Sequence, residues 1–462
     1  MNDFLITILS FLFALGVIIV VHEAGHLLVA KAFGVRVLTF SVGFGKRLWG
    51  FRRGETEYQV SAIPLGGYVR LSGELPEEAA ESTDPRDFMN KPRWQRILVY
   101  LAGPAMNVIL AILIFAGLFM VGMEVMNLPD MPPVVGGVEE GSSAARAGLR
   151  RGDRIVAIEG EAVDNWQQVL MALITSPDRP LRLSVEREGQ TIQTSVTPGR
   201  VPKYEVGDSG GIIPALRPQI TQVLSDSPAR EAGFRPGDEI RTVDGVPIAD
   251  SRDFVGRIET RAGKPVVVEI MRDGQPMTLT VVPRGDSGVG RIGVGIGFYQ
   301  KYGPARAFAA SVRYNIQIVK DTVAILGKVM TGGVPAKSAF AGPLEIAKQS
   351  GEAARRGFKD LLQLMGFLSI SIAFMNLLPI PILDGGQITI LAVEEVMRRD
   401  LSLRFKEVVG YVGLFMILAL MVTVIYFDIA KSGWLPKFGS EPPARQESGA
   451  PAAPAPAPAP TP

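Results

Sequence analysis

The sequence predicts a polytopic α-helical membrane protein with four transmembrane helices and a duplicated, mainly β region outside the membrane. Three observations lead there. Four long runs carry no charged residue, the middle of the chain matches itself without a gap, and basic residues crowd into two of the connections. Composition agrees: 47% of the 462 residues are apolar, and the mean hydropathy is +0.22. A net charge of +2 gives no reason to expect nucleic acid as a partner. The absence of cysteine excludes disulfides, thiolate metal ligands and a cysteine nucleophile.

The uncharged runs are Phe4–Val21, Ile97–Met123, Leu361–Leu383 and Val408–Phe427. Crossing a bilayer takes about 17–25 residues of helix, so each is long enough. The start, "MNDF", lacks the basic stretch of a secretory signal, and no small-residue cleavage site precedes His22. The first run is therefore expected to remain as a span. Ten Lys/Arg lie between Phe33 and Arg96, and Arg398, Arg399, Arg404 and Lys406 precede the fourth run. The positive-inside tendency puts these two connections on the cytoplasmic side. Both termini and the region Glu124–Asp360 are then external.

The self-match pairs "ARAGLRRGDRIVAIEGEAV" (Ala145–Val163) with "REAGFRPGDEIRTVDGVPI" (Arg230–Ile248) and continues to Pro198 opposite Pro283. Each copy reads as strand, turn, short helix and two alternating strands, a small duplicated module. Both copies resemble PDZ domains of the kind attached to bacterial proteases. That resemblance implies tandem peptide-binding domains over 124–204 and 205–290, which take an extended peptide or periplasmic protein segment as an added strand. "VVGGV" (Val134–Val138) and "SGGII" (Ser209–Ile213) are the candidate ligand loops. In the helical linker 291–360, Phe308, Val312, Ile316, Val319, Val323 and Leu326 form an apolar stripe opposite Arg313, Gln317, Lys320 and Asp321. It faces either a neighbouring domain or the membrane interface. The Ala/Pro-rich tail, 429–462, cannot build a core and is expected to be disordered.

The first span, 1–32, contains "HEAGH". His22 and His26 are the only histidines in the chain. Four residues apart on a helix, they share one face and can reach a single ion. Zn2+ suits two such nitrogens and one carboxylate, with the fourth position left for water. Glu23, beside the first ligand, is placed to act as the catalytic base. Ionisable groups at membrane depth are costly and mark function. The third span, 361–387, supplies the carboxylate: in "MNLLPIPILDGGQ" Asp384 is the sole acidic residue, Pro379 and Pro381 interrupt the helix, and Gly385–Gly386 permits a sharp turn.

This His-Glu-x-x-His is followed much later by Asn-x-x-Pro-x-Pro-x-Leu-Asp-Gly at Asn376, Pro379, Pro381, Leu383, Asp384 and Gly385. The pair of motifs resembles the site-2 protease family of intramembrane zinc proteases, and the likeness covers nearly the whole chain. It implies that His22, His26 and Asp384 hold zinc while Glu23 is the base. It also implies a bacterial inner-membrane location, an active site towards the cytoplasmic side, and single-pass membrane substrates such as an anti-sigma factor. In 33–96, "SVGFGKRLW" and "YQVSAIPLGGYVRL" read as strands turning at Gly43, Gly45, Gly66 and Gly67. The family places there a membrane-associated β-hairpin that holds substrate. Asn376 would donate to substrate backbone or the developing oxyanion. Asn107, in "AGPAMN" of the second span (97–123), would support a ligand, contact substrate or bond a neighbouring helix. The fourth span is expected at 406–428.

Two other classes compete with this reading. A zinc-stabilised scaffold presenting peptide-binding modules needs the three ligands but has no use for Glu23. A zinc transporter needs a polar path, and outside the motif the spans offer mainly Asn107, Gln363 and Asn376.

Overall fold

A computed structural model describes residues 2–74, 83–124, 131–201, 205–215, 218–248, 250–286, 288–332 and 334–432. The disordered tail expected at 429–462 starts too early, because the last helix runs on to Ser432, and the remainder from 433 lies outside the described residues. Among the described residues, four helices are long and apolar enough to cross a membrane: Asp3–Ala32, Arg93–Val121, Phe358–Asn376 and Arg404–Ala430. Elements are numbered below as the argument uses them. The first helix, α1 (Asn2–Ala32), is a nearly unbroken Leu/Ile/Val/Ala/Phe segment with Lys31 in its last turn. Two strands follow, β1 (Val37–Arg53) and β2 (Thr56–Leu71), and then α2 (Arg93–Val121).

β1 and β2 are antiparallel, but they do not make a simple hairpin. Val37–Val42 pairs with Leu71–Gly67, Trp49–Arg53 pairs with Val60–Thr56, and Thr39–Val42 also lies alongside Glu57–Val60. The ribbon thus folds back on itself. Gly43 and Gly45 make this bend possible with φ of +92° and +85°, conformations that L side chains rarely adopt. One end of the ribbon packs with Leu27, Ala30 and Val99 in a core that includes Val37, Leu71 and Phe88. Further along, Leu48, Trp49, Phe51 and Ile63 are left exposed.

The region between the second and third candidate spans holds the two copies, and the offset of 85 residues carries through to three dimensions. The first consists of β3 (Val135–Val138), β4 (Arg154–Ile158), α3 (Trp166–Ile174), β5 (Leu181–Arg187), β6 (Gln190–Val196) and β7 (Ile212–Pro214). The second consists of β8 (Gln219–Val223), β9 (Glu239–Val243), α4 (Ser251–Glu259), β10 (Val266–Arg272), β11 (Gln275–Val281) and β12 (Val294–Gly297). Their cores superpose in sequence: Ile155, Val169, Leu183, Val185 and Val196 answer to Ile240, Phe254, Val268, Ile270 and Val281. The boundary expected at 204/205 requires correction. β7 pairs with β3, and β12 pairs with β8, so each copy is completed by a strand beyond its expected end. The candidate loops Val134–Val138 and Ser209–Ile213 consequently lie side by side in the first copy.

Each copy also contains the same buried ion pair. Arg187 holds Asp153 through Nε and Nη2, both at 2.7 Å, and Arg272 holds Asp238 with identical distances. Each arginine gives Nη2 to a turn carbonyl as well, that of Gly148 or Gly233, at 2.8 Å. The Gly-Asp of the repeat is therefore a structural anchor.

Among the described residues, five longer helices follow, with a single turn at Ala336–Ala339 between the first two: α5 (Pro304–Met330), α6 (Pro343–Arg356), α7 (Phe358–Asn376), α8 (Asp384–Met397) and α9 (Leu403–Ser432). On α5 the buried residues are Ala307, Ser311, Asn315 and Ile318, not the apolar stripe. Phe308, Ile316 and Val323 point outward. Ser311 donates to the carbonyl of Ile112 in α2 at 2.6 Å, and Gln317 and Asp321 bond Gln167 of the first copy. A helix with its small and polar side chains inward and its apolar side outward suits lipid surroundings. The third span, expected to reach Gln387, ends at Asn376. Pro379 and Pro381 lack the N–H that a continuing helix needs, and α8 starts anew at Asp384.

The twin ion pairs allow a direct comparison. Burial raises the Asp153 carboxyl, but hydrogen bonds from Arg187 and from the Arg150 N–H outweigh it and hold the group below its ordinary value. The stabilisation is present above the unfolded value of about 3.9 and is lost as pH falls through the lower folded value. Arg187→Met and Arg272→Met should each destabilise their own copy by about 3 kcal/mol, since each strands a buried carboxylate. Thermal unfolding of the two-copy region at pH 7 measures both losses. For Arg187→Met the difference from wild type should shrink below about pH 4.

Candidate metal centre

α1 and α2 cross at the histidines. A Cβ on Gly25 would collide with the Ala102 carbonyl, and a Cβ on Gly103 would collide with His26 Nε2 and crowd His22. Two glycines therefore let the helices approach until the imidazoles lie against the α2 backbone. On α2, Val99, Gly103 and Asn107 are four residues apart and share the face presented to α1. His26 Nδ1 lies 2.8 Å from the Val99 carbonyl. A carbonyl only accepts, so Nδ1 carries the proton and Nε2 keeps a free lone pair. The Asn107 amide lies 3.2 Å from His22 Nδ1. An amide's oxygen and nitrogen ends exchange by a half-turn, and with Oδ1 towards the ring His22 also presents a free Nε2.

Asp384 meets them from α8. Its carboxylate oxygens lie 3.3 Å from His22 Nε2 and 3.6 Å from His26 Nε2, and the two nitrogens are 3.2 Å apart. These three residues form the candidate metal-holding group among the described residues. Tetrahedral coordination at about 2.0–2.1 Å puts ligand atoms roughly 3.3–3.4 Å from one another, so the donor set fits zinc in both chemistry and spacing. The break in the chain delivers the carboxylate: Gly385 and Gly386 press so closely on the carbonyls of Leu377, Leu378 and Ile380 that no side chain fits.

The three residues line a cavity of about 660 Å³. Glu23 lines it too, with its side chain against Gly67 of β2, where a Cβ would come within 2.9 Å of Glu23 Cγ. Gly67 serves this close approach, whereas Gly66 adopts a φ of +131°. Both border the cavity, as do Asn107 and Asn376, while Gly43 and Gly45 lie outside its lining. Apolar walls come from Ile18, Ile19, Phe44, Ile372 and Ile382. Sequence reasoning passed over Gly103 and the Val99 carbonyl. The four-residue spacing to Asn107 was the available signal, but a backbone acceptor leaves no mark on residue type. Tyr68, Tyr100 and Glu74 also face the cavity and carry no motif.

Residues 10–420 match the model of Peptidase family M50. The regulator of sigma-E protease RseP of Escherichia coli (strain K12) is 33% identical over 460 residues, spanning 93% of this chain and all of that protein. A putative zinc metalloprotease of Xylella fastidiosa (strain Temecula1 / ATCC 700964) is 33% identical over 450 residues, with the same coverage. Among solved structures, the PDZ domain of an SdrC-like protein from Listeria monocytogenes aligns at 20% identity over 17% of this chain and 86% of its own. The TM-score of 0.16 is too low to support the assignment. Full-length matches to the proteases, together with the family match across the metal centre, make this chain a metalloprotease of Peptidase family M50, the site-2 protease family.

Proposed function

We propose that the chain is an inner-membrane zinc endopeptidase that cuts single-pass membrane proteins within their spanning segment, with an anti-sigma factor as the first substrate to test. The observation that carries this reading is the convergence of His22, His26 and Asp384 between helices of spanning length, beside Glu23 in a cavity walled by both apolar and polar side chains. His22 and His26 would hold zinc through Nε2 and Asp384 through its carboxylate. When bound, zinc polarises a water and the scissile carbonyl. Glu23 takes the proton from the attacking water and returns it to the departing amine.

A substrate helix locks its carbonyls in i→i−4 hydrogen bonds, so the bond to be cut must first be unwound. Freed backbone groups are costly in lipid and need partners. Gly66–Leu71 of β2 borders the cavity, which supports an unwound segment lying along it as an extended strand. Asn376 ends α7 and lines the cavity, which supports a role as donor to substrate backbone. The two external copies, read as PDZ-like modules, would tether peptide segments or turn away substrates with bulky external domains. The active site then faces the cytoplasmic side, with the modules and both termini in the periplasm.

Two substitutions test the proposal. Glu23→Gln should retain zinc in metal analysis of the purified protein while cleavage of a membrane-spanning reporter falls by at least about 100-fold. A variant that cuts at the wild-type rate removes Glu23 from the mechanism. Gly103→Ala should weaken zinc binding at least about tenfold, because the new methyl group collides with His26. Gly117→Ala on the same helix, where a Cβ meets nothing within 4 Å, should leave it unchanged.

A further inference from the structure

We infer that Glu394 is a positioning residue for the metal centre, acting through the helix that also carries Asp384. This inference rests on the zinc site proposed above. Asp384 opens α8 and Glu394 lies near its other end, about 15 Å away at 1.5 Å per residue. Glu394 is fully buried, at 0% exposure. Its Oε1 accepts an ion pair from Lys406 of α9 at 2.6 Å and a hydrogen bond from the Leu401 N–H at 2.9 Å. Arg96 of α2, itself buried, lies within electrostatic reach of it. The next residue, Glu395, and Asp400 of the following loop hold Arg93 of α2 at 3.1 and 2.9 Å.

Stability alone does not account for this cluster. Desolvation offsets much of what a buried ion pair gains, and apolar replacements are often as stable. Apolar packing is also thin there. The buried residues of α8 are Gly385, Gly386, Leu391 and Glu394, and a cavity of about 430 Å³ opens beside Arg93, Arg96, Glu395 and Asp400. The charges therefore fix the far end of α8 where side-chain packing does not. They grip α2 one to two turns before Val99, the residue that orients His26. The two ends of the metal site are thus tied to one stretch of α2. A tilt of about 4° over ~15 Å moves a helix end by about 1 Å, which is enough to spoil a coordination distance.

The test is zinc affinity of the full-length protein in detergent, measured by chelator competition, independently of cleavage. Glu394→Gln keeps an acceptor for the Leu401 N–H but loses the charge, and should weaken zinc binding about 10- to 100-fold. Lys406→Gln should do the same. The double variant should be no worse than either single, and Lys406→Arg should retain wild-type affinity. Asp428→Asn is the control: Asp428 caps α6 from the opposite end of α9, accepting from the Gly342, Leu344 and Glu345 N–H groups. Its loss should leave zinc affinity within about twofold of wild type, inside the factor expected for a site not coupled to the metal. Wild-type affinity in Glu394→Gln overturns the inference, as does a loss matched by Asp428→Asn or by a proportional loss of helical signal. A wild-type protein that binds no zinc would instead overturn the metal site itself.

Discussion

The 2.8 Å hydrogen bond from His26 to the Val99 carbonyl forms because two helices cross almost backbone to backbone. Gly25 leaves room for the Ala102 carbonyl, and Gly103 leaves room for both imidazoles. In lipid, the hydrophobic effect gives helices no reason to approach, so small residues and interhelical hydrogen bonds must do so. The same contact that packs α1 on α2 thus selects the histidine tautomer a cation requires. Further along the face, Asn107 reaches His22, while the Asn107 carbonyl accepts from Ser369 of α7 at 2.8 Å. The third span is thereby joined to the first two through the residue that touches a candidate metal ligand.

The second requirement is a chain break at depth. Asp384 must enter between two histidines already facing one another, and a continuous third span would carry it past them. Ending α7 at Asn376 and restarting at Asp384 turns the chain within a few residues. The exposed carbonyls of that turn are met partly by its own backbone and by Gln387, whose amide donates to Pro381 at 2.8 Å. Irregular backbone at this level persists only where protein or a polar cavity covers it, and here the active-site cavity borders it directly.

Much of this was legible in the sequence because the chemistry is carried by rare residue types at fixed spacing. Two histidines in the whole chain, four apart with a glutamate between them, and one carboxylate after two prolines point to each other without a fold. The 85-residue repeat was equally plain and survives in the paired anchors Asp153–Arg187 and Asp238–Arg272. The module ends were not legible. The closing strands, Ile212–Pro214 and Val294–Gly297, lie outside the ungapped match and differ in residue type. The apolar stripe of α5 left two readings open for a physical reason: hydropathy marks the inward side of a helix in water but the outward side in lipid, and the exposed Phe308 and Ile316 favour the membrane interface over a neighbouring domain. The support from Val99 and Glu394 stayed hidden because one acts through its backbone and the other from ten residues away.

The pairing of β7 with β3 also decides where the two-copy region can be divided. A fragment ending at residue 204 would lose Ile212–Pro214, and the edge of Val135–Val138 would be left with unmet N–H and C=O groups. Such an edge recruits another strand, and the nearest suitable one belongs to a second copy of the same fragment. Excision at that point would yield self-associating material rather than a complete module. Carrying the cut on to Pro214 closes the sheet.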